Sequence, residues 1–346
     1  MSKPIVLCLG NTLFAQDAWK KLEEIAEVVT LPKGTSRATF FQLIEDPASK
    51  FSKIEVITRT AGSVAQTGRF DEELARRLPK SVKAVCHNGA GYDQVDVKYF
   101  NDRHIQVSNT PDLVSNSTAD DHVFLLLGAL RNFSFGARNL LDGKWPQDGS
   151  AAGTPFGHDP EGKTVGVLGL GGIGGAIVSR LKPFGFKKFI YHNRSRLSPE
   201  LENDCEYVSF DELLSQSDII SVNVPLNPKT VHLIDSKAFG KMKEGVVIVN
   251  TARGAIIDEA ALIEALKAGK VRSAGLDVFE FEPKVCQEIM DMKQVLALPH
   301  MGTHSVETRK KMEEFVVSNA ASVIKTGHVI SIVPEIRNEE WFKTLA

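Results

Sequence analysis

The chain has little of what marks several function classes. Only four of its 346 residues are cysteine, Cys8, Cys86, Cys205 and Cys286. They are far apart, with no CxxC and no Cys/His ligand spacing, so neither a disulfide framework nor a metal site is expected. Basic residues have no surplus: 41 Lys plus Arg stand against 43 Asp plus Glu, a net charge of -2. Nucleic-acid and membrane-surface binders need a basic face, so neither partner is expected. No apolar run approaches the ~20 residues of a spanning helix. The amino end has no signal-peptide core or Arg-rich transit pattern, and the carboxyl end is no peroxisomal address. The expected location is the cytoplasm, with reduced thiols.

What is present is an ordinary globular balance, 42% hydrophobic and 24% charged, and a length that suits about two domains. Short β-branched runs alternate with helical patterns. In the first third they fall at 5–9, 28–31, 55–58, 83–87 and 105–107, with 71–77 helical between them. A second series follows at 164–168, 188–192, 218–224, 246–250, 272–278 and 295–298; between its fourth and fifth runs, 258–268 has helical composition and Gly269 is a stop. This rhythm predicts α/β architecture with two doubly wound parallel sheets, Rossmann-like or flavodoxin-like. A helix over 117–131, opened by the capping pattern Ser117-x-x-Asp120, and another from about Ser305 join them. After the second helix the chain returns through 330–333. We therefore expect a discontinuous substrate-binding domain, 1–110 with 305–346, a cofactor domain of 111–304, and an active site in the cleft between them. Trp145 falls in a Gly/Pro-rich connection, 143–162, and is expected to be a packing residue, with a partner-subunit contact as the alternative.

Gly169-Leu170-Gly171-Gly172-Ile173-Gly174 is a G-x-G-x-x-G that directly follows the run 164–168 and opens a helical stretch, 173–183. Such a turn lets backbone N–H groups and a helix amino terminus meet a pyrophosphate. An NAD site carries an acid about 20 residues later for the ribose 2′-OH. Here the second strand ends in His192-Asn193-Arg194-Ser195-Arg196, and no acid occurs before Glu200. An acid would repel a 2′-phosphate, whereas these side chains can donate to one. NADPH is expected, with NADH weaker.

Three charged residues each follow a strand of the second series: Arg253 after 246–250, Glu282 after 272–278 and His300 after 295–298. In open α/β sheets ligands bind at the carboxyl ends of the strands. Reducing a carbonyl needs a proton donor, which imidazolium supplies near neutral pH. A carboxylate on the other ring nitrogen fixes the tautomer, and a guanidinium can hold a substrate carboxylate and polarise the carbonyl. The remaining histidines have no second ligand at metal spacing, and His304 is expected to begin the following helix.

These motifs, 167–174, 249–254, 275–283 and 298–302, together resemble the D-isomer-specific 2-hydroxyacid dehydrogenase family over essentially the whole chain, the fungal glyoxylate/hydroxypyruvate reductases most of all. The resemblance implies His300 as general acid/base, Glu282 as its partner and Arg253 as substrate and carbonyl binder. It implies that backbone N–H groups of the loop 89–93, at Ala90 and Gly91, take the substrate carboxylate, a role that glycine's close approach suits, and that Thr60 forms pocket wall. Thr118, Pro225, Thr251, Asp277 and Gly302 match positions lining the nicotinamide half, Asp277 suited to a carboxamide hydrogen bond, and Val224 and Ala252 are expected in the cofactor site. Gly172 departs from the family, which often has a long polar residue there. Glu282, rather than glutamine, points to 2-hydroxyacid chemistry and away from a formate dehydrogenase-like role. The reaction implied is NADPH-dependent reduction of a small 2-oxo acid, glyoxylate then hydroxypyruvate, by a homodimer. The rivals are a bulkier acid of mandelate or branched-chain type and, in another class, a dinucleotide-sensing corepressor.

Overall fold

The computed structural model describes residues 3–10 and 12–345. The chain divides into two compact units. One runs to Val114 and resumes at Ser305; the other is Ser115–His304.

The first unit is built on β1 (Ile5–Leu9), β2 (Glu27–Thr30), β3 (Ile54–Thr60), β4 (Ala84–Asn88) and β5 (Gln106–Ser108). They form one sheet of order β2-β1-β3-β4-β5 with every pairing parallel. Strands covered on both faces need apolar residues at successive positions. In β1, Val6 and Cys8 face a cluster with Val316, Ala320 and Val323 of the helix Val306–Thr326. Ile5, Leu7 and Leu9 face the opposite cluster with Phe40, Phe70 and Phe100. Ser305 caps that long helix at Thr308 N, and Gly327 ends it in a left-handed conformation. The segment 330–333 adds no strand; Val333 N donates to Val107 O and the chain turns into a short helix, Pro334–Arg337. His304 precedes the Ser305 cap and is not helical.

The second unit carries β6 (Thr164–Leu168), β7 (Lys188–His192), β8 (Glu206–Tyr207), β9 (Ile219–Val222), β10 (Val246–Asn250), β11 (Val271–Leu276) and β12 (Val295–Ala297). The order is β12-β11-β10-β9-β6-β7-β8, again all parallel. The direction of winding reverses between β6 and β9, the place where such sheets hold dinucleotides. β8 escaped the sequence reading because two residues cannot display an alternation.

The joining helix is Ser115–Leu130, so it begins two residues before the expected cap. Ser117 lies inside it, and Asp120 pairs with Arg180 at 2.6 Å instead of closing a capping box. Its Ala119, Leu125, Leu126 and Ala129 pack on Val165, Val167, Ile219 and Val249. Glycine permits the close seating: a Cβ on Gly275 would lie 2.8 Å from Leu125 O.

Candidate active site

β6 delivers the glycine turn to the switch point. Gly169 has φ +97, and a Cβ there would lie 2.8 Å from the Asn223–Val224 backbone; one on Gly174 would lie 2.3 Å from Gly169 O. Those two glycines are steric necessities. Gly171 differs. It caps the helix Gly172–Leu181, and a Cβ there would meet nothing within 4 Å. Open space above the amino terminus of a ten-residue helix, beside backbone N–H groups of Gly172 and Ile173, fits a pyrophosphate.

The strand-end residues expected to reach a phosphate divide. Asn193 clasps the glycine turn: its Oδ1 accepts from Leu170 N at 2.7 Å and its Nδ2 donates to Leu170 O at 3.3 Å. Arg196 is spent on Glu202, at 2.8 and 3.2 Å. Both therefore brace the site. His192 donates Nδ1–H to Val208 O and its ring lies along Tyr207. Arg194 and Ser195 remain exposed at the end of β7, next to Gly169, whose N–H donates to His192 O.

Arg253, Glu282 and His300 follow β10, β11 and β12, three adjacent parallel strands, so all three emerge at the same sheet edge. His300 Nδ1 lies 2.8 Å from Glu282 Oε2. A carboxylate oxygen accepts, so Nδ1 holds a proton and Nε2 is left to the reacting group. Glu282 Oε1 accepts from Phe279 N at 2.9 Å. Burial pushes the Glu282 carboxyl up, but the bonds from His300 and Phe279, with the charges of His300 and Arg253, carry it below its ordinary value. The base partner therefore stays ionised at neutral pH. The His300 side chain is about half exposed, 48%, and so open to a small molecule.

The turn that carries Arg253 is shaped by Asn250, a residue missed from sequence: Oδ1 accepts from Ala252 N at 3.0 Å and Nδ2 donates to Arg253 O at 2.9 Å. Gly254 lets the turn press on the next strand's loop, since a Cβ would fall 1.9 Å from Phe279 C. Arg253 donates to Ala252 O at 2.7 Å.

His300 has φ +55, a left-handed backbone that costs a non-glycine residue about 1 kcal/mol or more. Asp277 holds it there. The Asp277 carbonyl accepts from His300 N at 2.8 Å, Oδ1 accepts from Met301 N, and Oδ2 accepts from Gly302 N at 2.9 Å. Asp277 is 1% exposed, and its carboxylate anchors the loop. Thr118 likewise turns inward, donating to Gly302 O at 3.3 Å. Thr251 Oγ1 meets His122 Nδ1 at 2.8 Å, and His122 Nε2 meets Ser221 Oγ at 2.8 Å. Burial lowers His122 to about 3, so this buried link is neutral. Of the other cofactor-site positions, Val224 and Ala252 are partly buried and Pro225 is exposed; the Pro225 carbonyl accepts from Thr230 Oγ1 at 2.7 Å.

In the first unit, three successive carbonyls of the loop after β4 are held. Gly89 O accepts from Thr110 N at 3.0 Å, Ala90 O from Asn109 Nδ2 at 2.8 Å, and Gly91 O from His87 Nε2 at 2.9 Å. In planar trans peptides each following N–H points the other way. The N–H groups of Ala90, Gly91 and Tyr92 accordingly face away from those partners, and among the described residues none accepts from them. Thr60, at the end of β3, lines a cavity of about 300 Å³ with Gly10, Gly62, Ser63 and Gln66.

The model of the D-isomer specific 2-hydroxyacid dehydrogenase NAD binding domain matches residues 123–302. Glyoxylate reductase 1 of Saccharomyces cerevisiae is 65% identical over 339 residues, 98% of this chain and 97% of that protein. 4-Methyl-2-oxopentanoate reductase A of Aspergillus oryzae is 48% identical, covering 97% and 99%. The crystal structure of a glyoxylate reductase from Paecilomyes thermophila superposes with a TM-score of 0.91 at 45% identity, covering 97% and 99%. The NADPH-dependent glyoxylate/hydroxypyruvate reductase of Sinorhizobium meliloti, in complex with NADP and malonate, gives 0.82 at 30% identity, covering 97% and 98%. With its sheet order, glycine turn and Arg, Glu and His at one sheet edge, the chain belongs to the D-isomer specific 2-hydroxyacid dehydrogenase family.

Proposed function

We propose that the protein is an NADPH-dependent reductase of small 2-oxo acids, with glyoxylate favoured over hydroxypyruvate. The observation that carries the reading is the His300–Glu282 pair at 2.8 Å, on the same sheet edge as Arg253 and in the same unit as the glycine turn. Bound reduced nicotinamide supplies the hydride. His300, oriented through Nδ1, gives a proton from Nε2 to the carbonyl oxygen. Glu282 holds the ring and offsets the charge of the imidazolium. Arg253 binds the carboxylate and polarises the carbonyl. Backbone N–H groups of Ala90 and Gly91 take the carboxylate, and Thr60 bounds the pocket.

Arg194 and Ser195 support NADPH: they stand where an acid would select NADH, and Glu202 beside them is neutralised by Arg196. The similarity to an NADPH-dependent reductase with NADP bound supports the same choice. A branched 2-oxo acid is the second reading, supported by the 48% identity to a 4-methyl-2-oxopentanoate reductase. We further propose a cytoplasmic homodimer; the exposed apolar side chains of the second unit support the pairing.

The test is kcat/KM for glyoxylate, hydroxypyruvate and 4-methyl-2-oxopentanoate with NADPH and NADH, on the wild type, His300→Gln and Arg253→Ala. Each variant is expected to lose about 10²–10⁴-fold in kcat/KM with its melting temperature retained. Near-normal reduction by His300→Gln overturns the mechanism, and a preference for NADH overturns the cofactor choice.

A further inference from the structure

Behind the loop after β4 two polar side chains are buried together. His87, at the end of β4, is 2% exposed, and Arg59, at the end of β3, is 1% exposed. The polarity of their contacts can be assigned. A carbonyl oxygen only accepts, so the 2.9 Å contact to Gly91 O puts the proton of His87 on Nε2. A guanidinium only donates, so the 3.2 Å contact from Arg59 Nη1 requires a lone pair on His87 Nδ1. The two assignments agree on one neutral tautomer. A second proton on the ring would set N–H against N–H beside a buried cation.

Arg59 is itself fixed. Nη2 donates to Gln94 Oε1 at 2.7 Å, Nε donates to Ser63 Oγ at 3.2 Å, and the guanidinium lies 4.7 Å from the Phe70 ring centre. Burial lowers it to about 10, Asp93 opposing and Arg69 adding to the shift, so it remains a cation at neutral pH. Gly89 seals the arrangement: a Cβ there would lie 2.6 Å from His87 Nε2. A positive charge thus stands behind a loop whose carbonyls turn inward and whose N–H groups turn outward.

We propose that His87 is a positioning residue for substrate-carboxylate binding, locked by Arg59 in its Nε2–H form so that the Gly91–Tyr92 peptide keeps its N–H, that of Tyr92, toward the anion beside those of Ala90 and Gly91. This rests on the reading of the loop as the carboxylate site. Of the three inward carbonyls, Gly91 O is the one whose donor is a titratable ring, which is why a second residue is needed to fix its proton.

The experiment compares wild type, His87→Leu and His87→Gln by KM and kcat for glyoxylate, KM for NADPH, melting temperature, and inhibition by oxamate, a carboxylate that cannot be reduced. Glutamine can donate to Gly91 O while accepting from Arg59; leucine can do neither. Leucine is expected to raise KM for glyoxylate and Ki for oxamate together by about 10-fold, with kcat and KM for NADPH within about threefold. Glutamine is expected to restore most of the loss. An unchanged Ki in His87→Leu overturns the proposal, as does an equal fall in every parameter that glutamine does not repair. If leucine prevents folding, His87→Asn, too short to bridge both partners, takes its place under the same criteria. A wild-type protein that reduces glyoxylate but is insensitive to oxamate overturns the loop assignment and this role with it; one that neither reduces nor binds any 2-oxo acid fails at the reading beneath.

Discussion

Asp277 shows how one buried carboxylate can set a site without touching substrate. It fixes the backbone of His300, Met301 and Gly302, and its own carboxyl is pushed up by burial, with those backbone bonds opposing. Beneath it lies a second acid. Asp121 Oδ2 is buried with no donor upon it, and the group its carboxyl meets is the Asp277 carboxyl. Two acceptors can bond only by sharing a proton. Burial first, and then the Asp277 charge, push Asp121 up to about 7 from 3.8. The unfolded chain loses that proton at far lower pH than the folded one. Between the two values the folded state binds more protons, so this group's stabilisation is complete in acid and fades as pH rises toward 7. Asp121→Asn supplies a permanent donor. Its melting temperature relative to wild type is expected to climb between about pH 5 and about pH 8. A difference that stays flat across that range would show that the two acids do not share a proton.

At the scale of elements, the glycines of two strand-end turns, Gly254 after β10 and Gly171 after β6, separate folding from binding. Gly254→Ala places a methyl on backbone atoms that cannot retreat, and about 2–4 kcal/mol of stability is expected to be lost. Gly171→Ala meets open space, so the melting temperature is expected to hold while KM for the cofactor rises about 10-fold or more, because the added methyl occupies the phosphate's approach. A loss of stability in Gly171→Ala equal to that in Gly254→Ala would refute the distinction. The turn, most strands and the order of Arg253, Glu282 and His300 were legible in the sequence because each is a local signal: an apolar run, a glycine spacing, a charge after a strand. The supports were not. Asn193 clasps Leu170 across 23 positions, Thr118 reaches Gly302 across 184, and His122 reaches Thr251 across 129. Nothing local distinguishes such side chains from solvent-facing polar residues. Ser117-x-x-Asp120 misled for the opposite reason: a four-residue pattern fits by chance, and eight buried helix positions set the true start.

For the molecule as a whole, Trp145 corrects an expectation. It is exposed, 58%, not packed. It belongs to a stretch of the second unit in which Phe124, Phe133, Leu140, Leu141 and Phe156 are also exposed, Leu141 at 86% and Phe156 at 98%. Single exposed apolar residues are ordinary, but six large ones within 33 positions are a concentration that a partner subunit would cover. A second copy of the chain, paired across a two-fold axis, would bring the same residues of both copies together. Light scattering is expected to give twice the mass of one chain. Leu141→Glu with Phe156→Glu is expected to halve it, because charges placed in an interface core are costly to desolvate without partners. Neither residue lies among the site residues, so a monomeric double variant that keeps its cofactor affinity would locate the interface away from the chemistry. A double variant that remains dimeric would remove this surface as the basis of assembly, and a wild type that scatters as a single chain would remove the dimer itself.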